Sequence, residues 1–292
     1  MSELPGGPES RQVDRSELIS STRMRMRSLY GNDDRQEWKD VEDQTTKQSV
    51  EAVALVVPRN SLRPDGNRRV LQTIPLRSQF RRVPLCPNVR YADQPTAGSG
   101  SAFLVKQDVV VTAGHVVFPG MEREYRILFG FRMGPTQAVL TFTTDDVYEV
   151  RSAVHREAMP ADWVALQLDR PVVGRSPHRL SRSHNLPIDT RVFTAGYPMG
   201  LPLKVAQNAS VKHAGDATSF RANLDVFAGN SGSPVFNLAT REVEGIVVSG
   251  AIDFVELNGC KVPLQCPAVI GAGPCTGEVC TRASLIAAKL NL

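Results

Sequence analysis

With 292 residues, 41% of them apolar, the chain has material for one large domain or two small ones around a proper core. Its 34 basic and 30 acidic residues leave a net charge of only +4, which excludes a dedicated nucleic-acid binder, and no apolar run approaches membrane-spanning length. The opening MSELPGGPESRQVDRSEL has no basic region followed by an apolar core. No secretion signal is therefore visible, and a cytoplasmic placement is expected, or a secreted one if a leader is missing.

Residues 1–47 are polar, carry charges of both signs and hold few aromatics, so they are expected to be an extension outside any core. From SVEAVALVV onward the texture changes to short valine-rich runs broken by Gly, Pro, Asn or Asp. GSAFLV, DVVVTAG, YRILFGF, AVLTFTT, DWVALQL, RVFTAGYP, NASVKHA, SPVFN and VEGIVVSG each have the length and alternation of an antiparallel strand. About a dozen such strands point to an all-β protein built as barrels or a sandwich. Helical periodicity appears only at the end, in TRASLIAAKL. Four of the five cysteines, Cys260, Cys266, Cys275 and Cys280, crowd into the tail, while Cys86 stands alone. Their spacings of five, eight and four intervening residues do not match paired zinc knuckles, so no metal or other cofactor is expected. Without a signal segment, thiols are favoured over disulfides.

Three positions carry chemistry. In GNSGSPV the glycines permit positive φ and leave Ser231 unshielded, which suits a nucleophile or an ordinary tight turn. A serine hydroxyl is inert at neutral pH unless an imidazole takes its proton during attack. Of the five histidines, His115 alone ends a strand, in VVVTAGH, although a strand-end imidazole often just donates a hydrogen bond. An imidazole base needs a carboxylate to set its tautomer, and Asp162 leads the alternating strand DWVALQL, a place that a turn residue would also fill. Each signal is weak by itself; the three together, in the order His, Asp, Ser, are strong.

On these residues the chain resembles the trypsin-like serine peptidases. TAGH, DWVALQL and GNSGSPVFN look like that family's three catalytic blocks, and GNSGSP is most similar to the bacterial glutamyl-endopeptidase branch. YGNDDR, GYP and VEGIVVSG support the match. The resemblance implies a double six-stranded antiparallel β-barrel with a short C-terminal helix and a polar N-terminal extension. It places the first barrel at 48–175, the second at 176–256 and a Cys-rich tail with the helix at 257–292. It further implies Ser231 as nucleophile, His115 as general base and Asp162 as its orienter, with the amides of Gly229 and Ser231 as oxyanion hole. Protein or peptide would be the substrate, with no nucleic acid, membrane or cofactor involved.

The chain also departs from the family pattern. Where secreted relatives pair a cysteine after the histidine with one on the preceding strand, this chain has Val116 and Gly100, in line with a reducing compartment. Asn230 replaces the aspartate that in animal trypsins pairs with the new N-terminus. Val247 stands where glutamyl endopeptidases carry their acid-binding histidine, so glutamate specificity is not implied. The pocket would be lined by Val247 and Gly250 and floored by Asp225, six residues before Ser231, which implies cleavage after arginine or lysine; Asp253 is a weaker alternative, and either carboxylate could serve a turn instead. Such specificity would expose Arg23, Arg25 and Arg27 of the leader to self-processing, most plausibly after Arg27. A restricted intracellular target, such as one dedicated partner protein, fits this picture. The competing expectation is a binding or regulatory module that kept the fold and lost turnover.

Overall fold

The computed structural model describes residues 28–250, 252–271 and 273–292. Before the first barrel, Asp43 caps a short helix, α1 (Gln44–Val50), by accepting hydrogen bonds from the amides of Thr45 and Thr46. The valine-rich runs of the first half then form β1 (Val53–Pro58), β2 (Gly100–Lys106), β3 (Val109–Ala113), β4 (Tyr125–Phe129), β5 (Val147–Glu157) and β6 (Trp163–Leu168). These strands pair in the order β4-β5-β6-β3-β2-β1, and β1 bonds back to β4, so the barrel closes and leaves no edge. Phe103, Val111, Ile127, Phe129, Tyr148 and Leu166 are fully buried in and around it. Each such side chain contributes about 1.5–3 kcal/mol of burial.

The second barrel is made of β7 (Arg191–Gly196), β8 (Lys204–His213), β9 (Ser219–Ala222), β10 (Pro234–Asn237), β11 (Val243–Ser249) and β12 (Glu278–Arg282), followed by α2 (Ala283–Leu290). Its strands run β7-β10-β11-β12-β9-β8, with β8 paired to β7 to close the ring. Val192, Val211, Phe220, Leu224, Val235, Val247 and Cys280 form its core. The double-barrel fold and the terminal helix agree with the sequence reading, but the segment boundaries need correction. β12 lies in the supposed tail, yet it bonds to both β9 and β11 and completes the barrel. Residues of the supposed extension are equally built in: Gln36–Glu37 adds an edge strand to β8, and Leu29–Tyr30 pairs in parallel with Gln265–Cys266.

The cysteines are a second correction. Cys86 pairs with Cys260 and Cys266 with Cys275, so these four are not thiols, and Cys86 is not isolated. Cys280 is buried in the second core. No helix among the described residues is long and apolar enough to cross a membrane. Arg23, Arg25 and Arg27 lie outside the described residues.

Candidate active site

Two adjacent strands bring His115 and Asp162 together. β3 and β6 pair with Ala113 opposite Trp163, which sets the residues just after the first strand beside those just before the second. Asp162 adopts φ +51, a left-handed conformation that Asp tolerates better than most residues. Its carbonyl accepts from the Gly114 amide at 2.8 Å. Its Oδ1 accepts the His115 backbone N–H at 3.1 Å, leaving Oδ2 for the ring: Nδ1 lies 2.7 Å away. Arg156 donates to the Gly114 carbonyl at 2.7 Å, pinning the turn from outside.

Ser231 comes from the other barrel, in the loop that leads into β10. Its Oγ stands 2.7 Å from His115 Nε2, so imidazole, hydroxyl and carboxylate form one chain of hydrogen bonds. Two glycines make the bend possible. Gly229 has φ +94, and a Cβ there would stand 2.4 Å from the Tyr197 carbonyl oxygen; Gly232 has φ +86, with the Ser101 carbonyl oxygen 2.2 Å from its would-be Cβ. Within the bend the Asn230 amide turns back to the Phe227 carbonyl at 2.9 Å.

Ser101, which no motif marked, stitches the barrels together at Ser231. Its amide donates to the Ser231 carbonyl at 2.9 Å and its hydroxyl to the Gly229 carbonyl at 2.8 Å, while the Thr112 hydroxyl donates to the Ser101 carbonyl at 2.7 Å. Gly100 and Val116 do face one another, as the comparison with cysteine-bearing relatives implied. A Cβ on Gly100 would lie 2.5 Å from Val116 Cγ1, so the valine occupies the space of a bridge.

Asp225, expected at the pocket floor, is held within the fold. Its Oδ1 accepts the Tyr30 amide at 2.6 Å and its Oδ2 the Asp34 amide at 2.9 Å, and it is 4% exposed. Burial first, and the neighbouring Asp34 carboxyl second, push its pKa up to about 8. A carboxyl that is 4% exposed and held by two backbone amides has little free surface to offer a substrate guanidinium. Asp253, the weaker candidate, also serves the loop, accepting the Ala228 amide at 3.1 Å. Val247 is wholly buried on β11. Gly250, just beyond β11, is overlaid by the buried Glu278 carboxyl, which a Cβ at 250 would strike at 1.6 Å. Nothing in the residues around Glu278 marked it, because its place depends on the β11–β12 pairing.

A family model described as a trypsin-like peptidase domain matches residues 100–246. Among solved structures, the chain is similar to the VesB protease of Vibrio cholerae at 12% identity, covering 91% of this chain and 67% of that one, with a TM-score of 0.51. It is also similar to a Glu endopeptidase solved in complex with MPD, at 14% identity, with 90% and 97% covered and a TM-score of 0.51. At these identities the likeness is one of fold. No curated protein matches the chain in sequence.

Proposed function

The chain belongs to the trypsin-like peptidase family and is a serine endopeptidase, and from that premise we propose that Ser231 is its nucleophile, His115 its general base and acid, and Asp162 the carboxylate that orients the imidazole. One observation carries the assignment: Ser231 Oγ to His115 Nε2 and His115 Nδ1 to Asp162 Oδ2 are both 2.7 Å, across three segments remote in sequence. As Oγ attacks the scissile carbonyl, its proton passes to Nε2, and Asp162 stabilises the imidazolium that forms. The amides of Gly229 and Ser231 are the proposed oxyanion hole, supported by the left-handed Gly229 and by the Ser101 hydroxyl holding its carbonyl. His115 then protonates the leaving amine, and water hydrolyses the acyl-enzyme by the same route in reverse. No step calls for a cofactor.

The substrate is a protein or peptide. For the residue before the scissile bond, we read the pocket as rejecting acidic side chains, because the Glu278 carboxyl lies against Gly250. A preference for arginine or lysine can no longer rest on Asp225. The two disulfides fit an oxidising compartment and weigh against a cytoplasmic site of action. A silent binding module would have no use for an imidazole in line with both serine and carboxylate. Labelling with a fluorophosphonate probe tests this: wild type should be modified at Ser231 and Ser231→Ala should not, and an unmodified wild type would sink the assignment.

A further inference from the structure

Nearly every residue of the loop that delivers Ser231 is held by something outside it, and much of that support comes from one short segment, Tyr30–Arg35. Two of its amides, Tyr30 and Asp34, cap the Asp225 carboxyl where the loop begins. Two residues on, the Arg35 guanidinium lies over the Phe227 ring with Cζ 4.2 Å from the centroid, and Tyr91 flanks it at 5.4 Å. Arg35 is 2% exposed. Asp33 grips it in bidentate fashion, Nε to Oδ1 at 2.8 Å and Nη2 to Oδ2 at 2.7 Å. The segment is itself anchored: Asp34 Oδ2 accepts the amides of Gln207 and Asn208 at 3.1 and 2.6 Å, and Arg90 and the Tyr91 hydroxyl donate to the Arg35 carbonyl.

The Phe227 carbonyl is in turn the acceptor for the Asn230 amide, the bond that turns the chain between Gly229 and Ser231. A flat cation fixed over the Phe227 ring therefore fixes that carbonyl, and through it the direction of the two flanking amides. We propose that Arg35 is a positioning residue for the oxyanion hole, acting through Phe227 and oriented by Asp33. The proposal rests on the assignment of Ser231 as nucleophile and of Gly229 and Ser231 as oxyanion donors. Asn230 carries no charge with which to recruit an ammonium, so an internal arginine supplies the bracing. Lysine at 35 would keep the charge but lose both the fork to Asp33 and the plane that stacks on the ring.

The test uses Arg35→Lys, Arg35→Ala and Phe227→Leu in the full chain. Its probes are the best wild-type peptide substrate, the peptidyl aldehyde derived from it, which forms a tetrahedral adduct on Ser231, and the corresponding alcohol, which does not. A misdirected oxyanion donor should lower kcat by about ten- to a hundredfold, short of the full loss of one donor. KM should change little, because the defect lies in the transition state. Aldehyde affinity should fall by the same factor, alcohol affinity should hold, and the shape of the kcat pH profile should stay put. If Arg35→Ala does not fold, Arg35→Lys and Phe227→Leu carry the test. Kinetics within twofold of wild type in both, or equal losses for aldehyde and alcohol, would overturn the proposal while leaving the nucleophile intact. Failure of the fluorophosphonate to label wild-type Ser231 would instead remove the assignment on which it stands.

Discussion

The two barrels present the proposed catalytic residues in different ways. The first closes with six strands drawn from one continuous stretch, Val53 to Leu168, and sets His115 and Asp162 at neighbouring strand ends. The second draws its closing strand, β12, from beyond an intervening hairpin and two disulfides, and carries Ser231 on a loop braced by Tyr30–Arg35 and by Ser101 of the first barrel. Rigid strand ends suit groups that shuttle a proton over a fixed distance. A nucleophile flanked by oxyanion donors needs a bent backbone, which no regular strand provides, so the bend has to be held from outside. On this view the first barrel tolerates local damage in the same way as any core, and the second is sensitive to segments far from it in sequence.

The sharpest way to break the pairing of the barrels is to delete either partner of the Ser231–His115 bond. Ser231→Ala and His115→Ala should each reduce kcat by about a millionfold with an unchanged fold. Circular dichroism and peptide hydrolysis check this together, and turnover near wild type in either variant would end the triad assignment. Next in size is Asp162→Asn. Asparagine tolerates the left-handed backbone at 162, so geometry should survive, and the wrong imidazole tautomer should cost about ten-thousandfold in kcat. A loss below tenfold would point to another carboxylate.

How much of this was legible in the sequence follows the same divide. His115, Asp162 and Ser231 are readable because each sits in a local pattern: a strand end, a strand start and a glycine-flanked turn. The strands of the first barrel are readable because alternation survives in them. The setting of Asp225 was not legible, because its six-residue spacing from Ser231 says nothing about the amides 195 and 191 positions away that hold its carboxyl. Cys86 looked isolated because its partner is 174 residues distant. β12 was assigned to the tail because its five residues, EVCTR, gain their meaning only from the two strands that flank them.

The disulfides sharpen the comparison by ranking the supports of the second barrel. Cys86–Cys260 closes a span of 174 residues and ties the long β1–β2 connection to the hairpin of Phe254–Leu257 and Cys260–Pro263; Cys266–Cys275 closes only nine, beside the strand that receives Tyr30. Loop-closure entropy puts the loss at about 5 kcal/mol for the first and below about 3 kcal/mol for the second. Paired Cys→Ser variants compared by denaturant unfolding should keep that order. The reverse order would mean that the short bridge, through Tyr30, governs the loop more than chain entropy does.

The smallest expected effect is a pH slope to which the Asp225 clasp contributes. Asp225 holds its proton up to about pH 8 in the folded protein, whereas an unburied Asp loses it near 3.8. The folded state therefore binds more protons across that window, and stability falls as pH rises through it. Buried His178 works in the opposite sense: desolvation pulls it down from 6.5 to about 4, so stability rises with pH between those values. Below pH 6.5 the two slopes oppose one another. Between 6.5 and 8 the His178 contribution is over and the clasp contributes a fall of about 1.4 kcal/mol per pH unit, or about 2 kcal/mol in all. Lys204, lowered to about 8 by burial, and the raised tyrosines titrate above this window, and the lowered carboxyls of Asp33, Asp43 and Glu157 below it. Urea unfolding at pH 5, 6.5 and 8 should accordingly give a nearly level first step and a falling second one. Asp225→Asn should flatten the second step and uncover a rise in the first, while His178→Phe should steepen the first and leave the second alone. If Asp225→Asn falls between pH 6.5 and 8 as steeply as wild type, the carboxyl pair is not what holds the Tyr30–Arg35 segment against the nucleophile loop.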